Sequence, residues 1–93
     1  MLTDEQYEWV KKTYKEKHNP TKLGMFIRYH RLMTPMTISK VALSTGLSTS
    51  YITNLEIGKR TIPGIKTIFK ICKLFNIDGS TLLKVLEEEY ETP

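Results

Sequence analysis

Ninety-three residues carrying 14 lysines and arginines against 10 acids, a net charge of +4, fit one domain with a single modest core. The lone cysteine excludes an internal disulfide, the apolar runs are too short to span a membrane, and the acidic start MLTDEQYEWVKK is unlike a signal peptide. Four acids (Glu87, Glu88, Glu89, Glu91) fall in the last seven residues, so up to Leu86 fourteen cations face six acids, and a basic body of this kind suits a polyanion.

The first helix is predicted over residues 3–17. Thr3 is placed to cap it, Asp4 and Glu5 complement its positive end, and Lys15 and Lys17 its negative end. Tyr7, Val10 and Tyr14 recur at spacings of three and four with Trp9 alongside. This stripe is read as packing on the rest of the domain, with a dimer contact as its alternative use. Lys11, Lys12 and Lys15 fall off the stripe, on a solvated face.

Asn19 and Pro20 have the chemistry of an N-cap and a first helical residue, so a second helix is predicted from Pro20 to Met33. Leu23, Ile27 and His30 share one face, Phe26 adjoins it, and Arg28 and Arg31 flank the histidine. His30 stands where an apolar residue is expected. With no second histidine or cysteine at ligand spacing, it is read as a half-buried packing side chain. No metal or cofactor is expected anywhere in the chain. Thr34-Pro35 ends this helix.

Thr37 caps a third helix, Ile38 to Thr45, with Val41, Ala42 and Thr45 inward. Gly46 supplies a left-handed turn residue, Leu47 plugs the turn, and Ser48 caps a fourth helix, Thr49 to Ile57, which Gly58 ends. Pro63 precedes a fifth helix, Ile65 to Phe75, whose inward face is read as Ile65, Ile68, Phe69, Cys72 and Phe75. Lys66, Lys70 and Lys73 line its outside. Cys72 is a core thiol suited to a reducing cytoplasm. Asn76 closes this helix. Asp78 or Ser80 caps the last one, with Leu82, Leu83 and Leu86 on one side. No strand alternation interrupts the pattern, so the fold class is all-α. The organisation expected is an N-terminal helical extension (1–19), a helix-turn-helix domain (20–86) and an acidic tail (87–93).

Two helices joined by so short a turn must cross closely. Ala42 lets their backbones approach, and Ile52 and Leu55 anchor the second to the core. Thr49, Ser50, Thr53 and Asn54 are then forced outward together. Small polar groups on an exposed helix fit the major groove, roughly 12 Å wide, and can meet base edges. Phosphate contacts are expected from the start of the helix capped by Thr37, with the N–H of Ile38, and from Ser48, Lys59 and Arg60.

The stretch A-x-x-x-G-L-S-x-S-Y-I-x-x-L-E-x-G-K-R from Ala42 to Arg60, followed by Pro63 and an apolar helix, resembles the lambda-repressor/Cro-like (Xre) helix-turn-helix family. The resemblance runs from Leu23 to Leu83. It implies a five-helix DNA-binding domain, here with an added N-terminal helix, acting as a dimer on a palindromic or pseudo-palindromic operator. It also implies a structural brace between a first-helix arginine and the glutamate ending the recognition helix, which by position are Arg31 and Glu56. Two departures stand out. Ile38 replaces the polar residue common at the start of the motif's first helix, and Thr49, Ser50 and Asn54 replace longer side chains, so readout is expected to lean on close contact and DNA shape.

The expected function is sequence-specific binding of double-stranded DNA by a small cytoplasmic, nucleoid-associated regulator, a repressor of phage, plasmid or mobile-element type. Homodimerisation is expected through the last helix (Leu82, Val85, Leu86, Tyr90), or else through the N-terminal stripe. The alternative is an antitoxin or accessory protein holding a protein partner through residues 1–19 or the acidic tail. An enzyme is not expected: HExxH, CxxC and P-loop patterns are missing from the sequence, and His18 and His30 have no evident nucleophile beside them.

Overall fold

The computed structural model describes residues 2–90, except for the side chain of Tyr90. Those residues form six helices and no strand: α1 (Asp4–Thr13), α2 (Lys22–Met33), α3 (Ile38–Thr45), α4 (Thr49–Ile57), α5 (Ile65–Phe75) and α6 (Gly79–Tyr90). The fold is all-α, and α2 is its hub, packed against α1, α4, α5 and α6.

The helix starts follow from local chemistry. Thr3 and Gln6 form a reciprocal capping box, the Thr3 hydroxyl accepting from the Gln6 N–H and the Gln6 side chain accepting from the Thr3 N–H. At α2 the cap is Thr21, whose hydroxyl accepts from the Gly24 N–H at 2.9 Å. The helix therefore starts at Lys22, two residues later than Pro20. The end of α1 is set from outside the helix. Arg28 donates to both the carbonyl and the hydroxyl of Thr13, each at 2.7 Å. Tyr14 then turns extended, and α1 stops at Thr13 rather than running to residue 17.

The main core joins Leu23, Phe26 and Ile27 of α2 to Val41, Ile52, Leu55, Ile71, Phe75, Leu82 and Val85 from α3, α4, α5 and α6. A smaller cluster of Tyr7, Val10 and Met25 seats α1 on α2. His30 is half-buried among aromatic rings, with Phe26 at 4.5 Å and Tyr29 at 5.4 Å between centroids.

Two faces differ from the sequence expectation. Helix α5 turns Thr67, Ile71, Cys72 and Phe75 inward, while Ile65 and Phe69 are 63% and 68% exposed. Lys66, Lys70 and Lys73 share one stripe, but the apolar arc opposite them is broader than the face the core takes, so periodicity alone does not choose which part of it is buried. In α6 the fully buried pair is Leu82 and Val85, and Leu83 is 53% exposed. Leu82 and Val85 thus lie inside the core of the single chain and are corrected from dimer contacts to core residues. Leu86 is half-buried against the same core, and the Tyr90 side chain lies outside the described residues. Asp78 starts α6 by accepting from the Ser80 N–H at 3.2 Å. Glu87, Glu88 and Glu89 belong to α6. Glu89 accepts from the Lys22 N–H at 3.3 Å and Glu88 lies 3.7 Å from the Lys22 ammonium, which sets negative charge at the positive end of α2.

Candidate nucleic-acid interface

Helices α3 and α4 are built by four local devices. The Thr37 hydroxyl accepts from the Lys40 N–H at 3.1 Å and starts α3. Gly46, at φ +72°, ends it in the left-handed region, where a side chain would be strained. The N–H of Leu47 returns to the Ala42 carbonyl at 3.2 Å, closing the turn. The Ser48 hydroxyl then accepts from the Tyr51 N–H at 3.0 Å and starts α4. Val41 and Ala42 on one helix, and Ile52 and Leu55 on the other, are buried, and this fixes which way α4 presents its remaining face.

On that face Thr49, Ser50 and Thr53 are exposed and Asn54 is half-buried. Lys59 and Arg60 follow, both exposed. The backbone N–H of Arg60 donates to the Asn54 carbonyl at 3.0 Å. Its guanidinium lies over the Tyr51 ring, 4.7 Å from the centroid, a cation–π contact that gives this long side chain a resting place. Tyr51 was not among the residues expected to matter, and no short-range spacing links it to Arg60. Thr37 and Ser48 accept bonds as caps, which leaves each hydroxyl proton free to donate. Ile38 is half-buried against the core, so it offers its backbone N–H alone.

The inner side of α4 is held by charge. The carboxylate of Glu56, 1% exposed, receives Arg31 Nε at 2.6 Å and Arg31 Nη2 at 3.1 Å. Arg31 Nη1 donates to the Met36 carbonyl at 2.9 Å, so the same guanidinium also fixes the chain entering α3. A second cation, Arg28, reaches Glu56 Oε1 at 3.0 Å. It stacks on the Tyr14 ring at 4.3 Å, and the Tyr14 hydroxyl donates to the Glu56 carbonyl at 2.6 Å. Burial, then the charge of Glu56, pushes the Tyr14 hydroxyl well above its ordinary value, so it remains a proton donor. Arg28 and Tyr14 were missed as members of this clamp, because they approach Glu56 from 28 and 42 residues away and no local pattern announces it.

The result is a short helix with a polar outer face, clamped at its inner end to the helix that carries the core. Such a rigid element can enter a groove of the major-groove width without being ordered by the contact. Among the described residues no cluster of His, Cys, Asp and Glu could hold a metal ion, and no helix is long and apolar enough to cross a membrane.

Residues 27–82, more than half of the chain, match the helix-turn-helix family HTH_3. No curated protein matches the chain. The family is one of DNA-binding regulators and is not normally enzymatic. With α3 and α4 as its motif, the chain belongs to the lambda-repressor-like (Xre) helix-turn-helix family and is a DNA-binding regulator.

Proposed function

We propose that the protein is a sequence-specific, dimeric transcriptional repressor that lays α4 in the major groove of a palindromic or pseudo-palindromic operator on bacterial nucleoid DNA. The observation that carries this reading is the outer face of α4, small and polar at Thr49, Ser50 and Thr53, on a helix whose other side is anchored by Ile52, Leu55 and Glu56. Asn54 completes the base-reading set through the bidentate adenine contact that its amide favours. Thr37, the Ile38 N–H, Ser48, Lys59 and Arg60 hold phosphates. The phage, plasmid or mobile-element context rests on the resemblance to lambda-type repressors.

A dimer follows from affinity, since one module of this size makes too few contacts for a tight complex. The surface proposed for the second copy is a groove of about 520 Å³ between α5 and α6. Its rim carries the exposed Ile65, Phe69 and Leu83. Lys73 borders the groove, and Glu87 lies one turn beyond Leu83 on the same side of α6. In a two-fold contact every pairing occurs twice, and in the arrangement proposed Lys73 of each copy faces Glu87 of the other.

Selection of random duplexes on the purified protein tests the reading. Enrichment of an inverted repeat with half-sites about one helical turn apart is the expected result. Equal recovery of all sequences would sink it. Sedimentation of Phe69→Glu tests the dimer surface: a mixture shifted to monomer supports it, and an unchanged dimer places the contact elsewhere.

A further inference from the structure

We propose that Lys15 and Lys17, in the segment joining α1 to α2, form a second phosphate-binding surface that widens the DNA interface beyond the helix-turn-helix. The proposal rests on the DNA-binding reading and adds a site outside the matched span, residues 27–82.

The segment is fixed to the end of the recognition helix at both of its own ends. On the α1 side, Tyr14 donates to the Glu56 carbonyl at 2.6 Å and Arg28 ties down Thr13. On the α2 side, Asn19 and Pro20 pass directly over Gly58. A Cβ on Gly58 would lie 2.6 Å from the Asn19 carbonyl oxygen and 3.1 Å from the Pro20 Cα, so only glycine admits this approach. Gly58 also has φ +90°, and its two constraints agree.

Between these anchors lies a cleft of about 430 Å³. Lys15, Glu16 and His18 form one wall, and Ile38 and Ile57 stand at the start of α3 and the end of α4. Lys15 therefore borders the N-terminus of α3, where the motif is assigned a phosphate, and Lys17, two residues on, lines the neighbouring cleft that Lys15 also borders. Arg28 and Arg31 also line the cleft, and together they exceed the single charge of Glu56. Among the described residues Glu16 is the one acid lining the cleft, so the local charge is positive. Lys15 and Lys17 are exposed. Lys11, by contrast, is paired with Glu8 at 3.2 Å. A lysine-rich connection that served only as a solvated linker would need no such anchoring. One held beside an anion site has already lost the conformational freedom that binding would otherwise remove.

The partner chemistry is a run of backbone phosphates flanking the half-site, recognised by charge and without regard to base. The test is the salt dependence of binding by the full chain, on its selected operator and on an unrelated duplex. Lys15→Ala/Lys17→Ala is expected to lower the slope of log K against log salt by about 0.9 per lost phosphate contact. Affinity should fall by the same factor on both duplexes, leaving sequence preference intact. The control is Lys12→Ala/Lys84→Ala, which removes equal charge from other exposed positions. An unchanged slope in the first variant, or an equal drop in the control, overturns the proposal while leaving the DNA-binding reading in place. A wild-type chain without salt-dependent duplex binding would overturn both.

Discussion

Arg31 and Glu56 meet through two hydrogen bonds, at 2.6 and 3.1 Å, with side chains only 8% and 1% exposed. Arg28 approaches one of the same carboxylate oxygens from the other helix turn. The carboxylate thus joins the recognition helix to α2 and, through the third donor of Arg31, to the chain entering α3.

Removing one partner of a buried pair leaves the other charge without compensation, and such changes cost about 3–5 kcal/mol. Glu56→Ala strands two guanidiniums and is expected at the upper part of that range. Urea unfolding, followed by circular dichroism, measures the loss. A change under about 1 kcal/mol would put this pair among surface ion pairs, where that is the usual size.

Gly24→Ala sets two effects against each other. Alanine in a helix interior is favoured over glycine by about 1 kcal/mol. At this position, though, an added Cβ would collide with the carbonyl oxygen of Leu55 and lie 2.8 Å from that of Glu56. Both are backbone atoms of α4 and cannot rotate away, and overpacking of this kind costs about 1–3 kcal/mol. The variant is therefore expected to melt at lower temperature and to bind DNA less tightly, since α4 must shift outward. A higher melting temperature would mean that α2 and α4 separate freely.

The approach of α4 to Gly24 is a long-range contact that no local pattern announces. The bounds of α3 and α4 were legible residue for residue because Thr37, Gly46 and Ser48 act through bonds no more than a few positions away and Gly58 through its own left-handed backbone. Long-range contacts left no such trace. The end of α1 is set by Arg28, and the buried side of α5 is chosen by its neighbours among several apolar stripes. Leu82 and Val85 looked as available for a partner as Leu83 does, because a short apolar helix does not say which leucine its own domain will take. The Arg31–Glu56 pair was reachable only through the resemblance, and nothing in the spacing joined Arg28 or Tyr14 to it.

His30 predicts a pH dependence. Burial among Phe26, Tyr29 and Phe75 pushes its imidazole below the ordinary value of 6.5. The unfolded chain then binds the proton more readily than the folded one. The contribution to stability is complete above the unfolded value and is lost as pH falls from there through the folded value. Wild-type stability should drop as pH falls below about 6.5, and His30→Phe should flatten that part of the curve. Parallel profiles for the two proteins would show that the histidine does not titrate differently on folding.

The two halves of the proposed interface should fail in different ways. Asn54→Ala removes the amide proposed to read a base and is expected to lose discrimination at one base pair, by about 1–3 kcal/mol, while binding to unrelated duplex persists. Lys59→Ala removes a cation proposed to hold a phosphate. It should weaken all duplexes alike and reduce the salt slope by about 0.9. Arg60→Ala is expected to behave as Lys59→Ala does. Competition titrations over a series of single-base operator variants, repeated at several salt concentrations, separate the two behaviours. If Asn54→Ala weakens every duplex equally, its side chain does not read bases and the polar face must work through Thr49, Ser50 and Thr53. If Lys59→Ala instead shifts the preferred sequence with no change in slope, the chain after α4 lies in the groove rather than along the backbone.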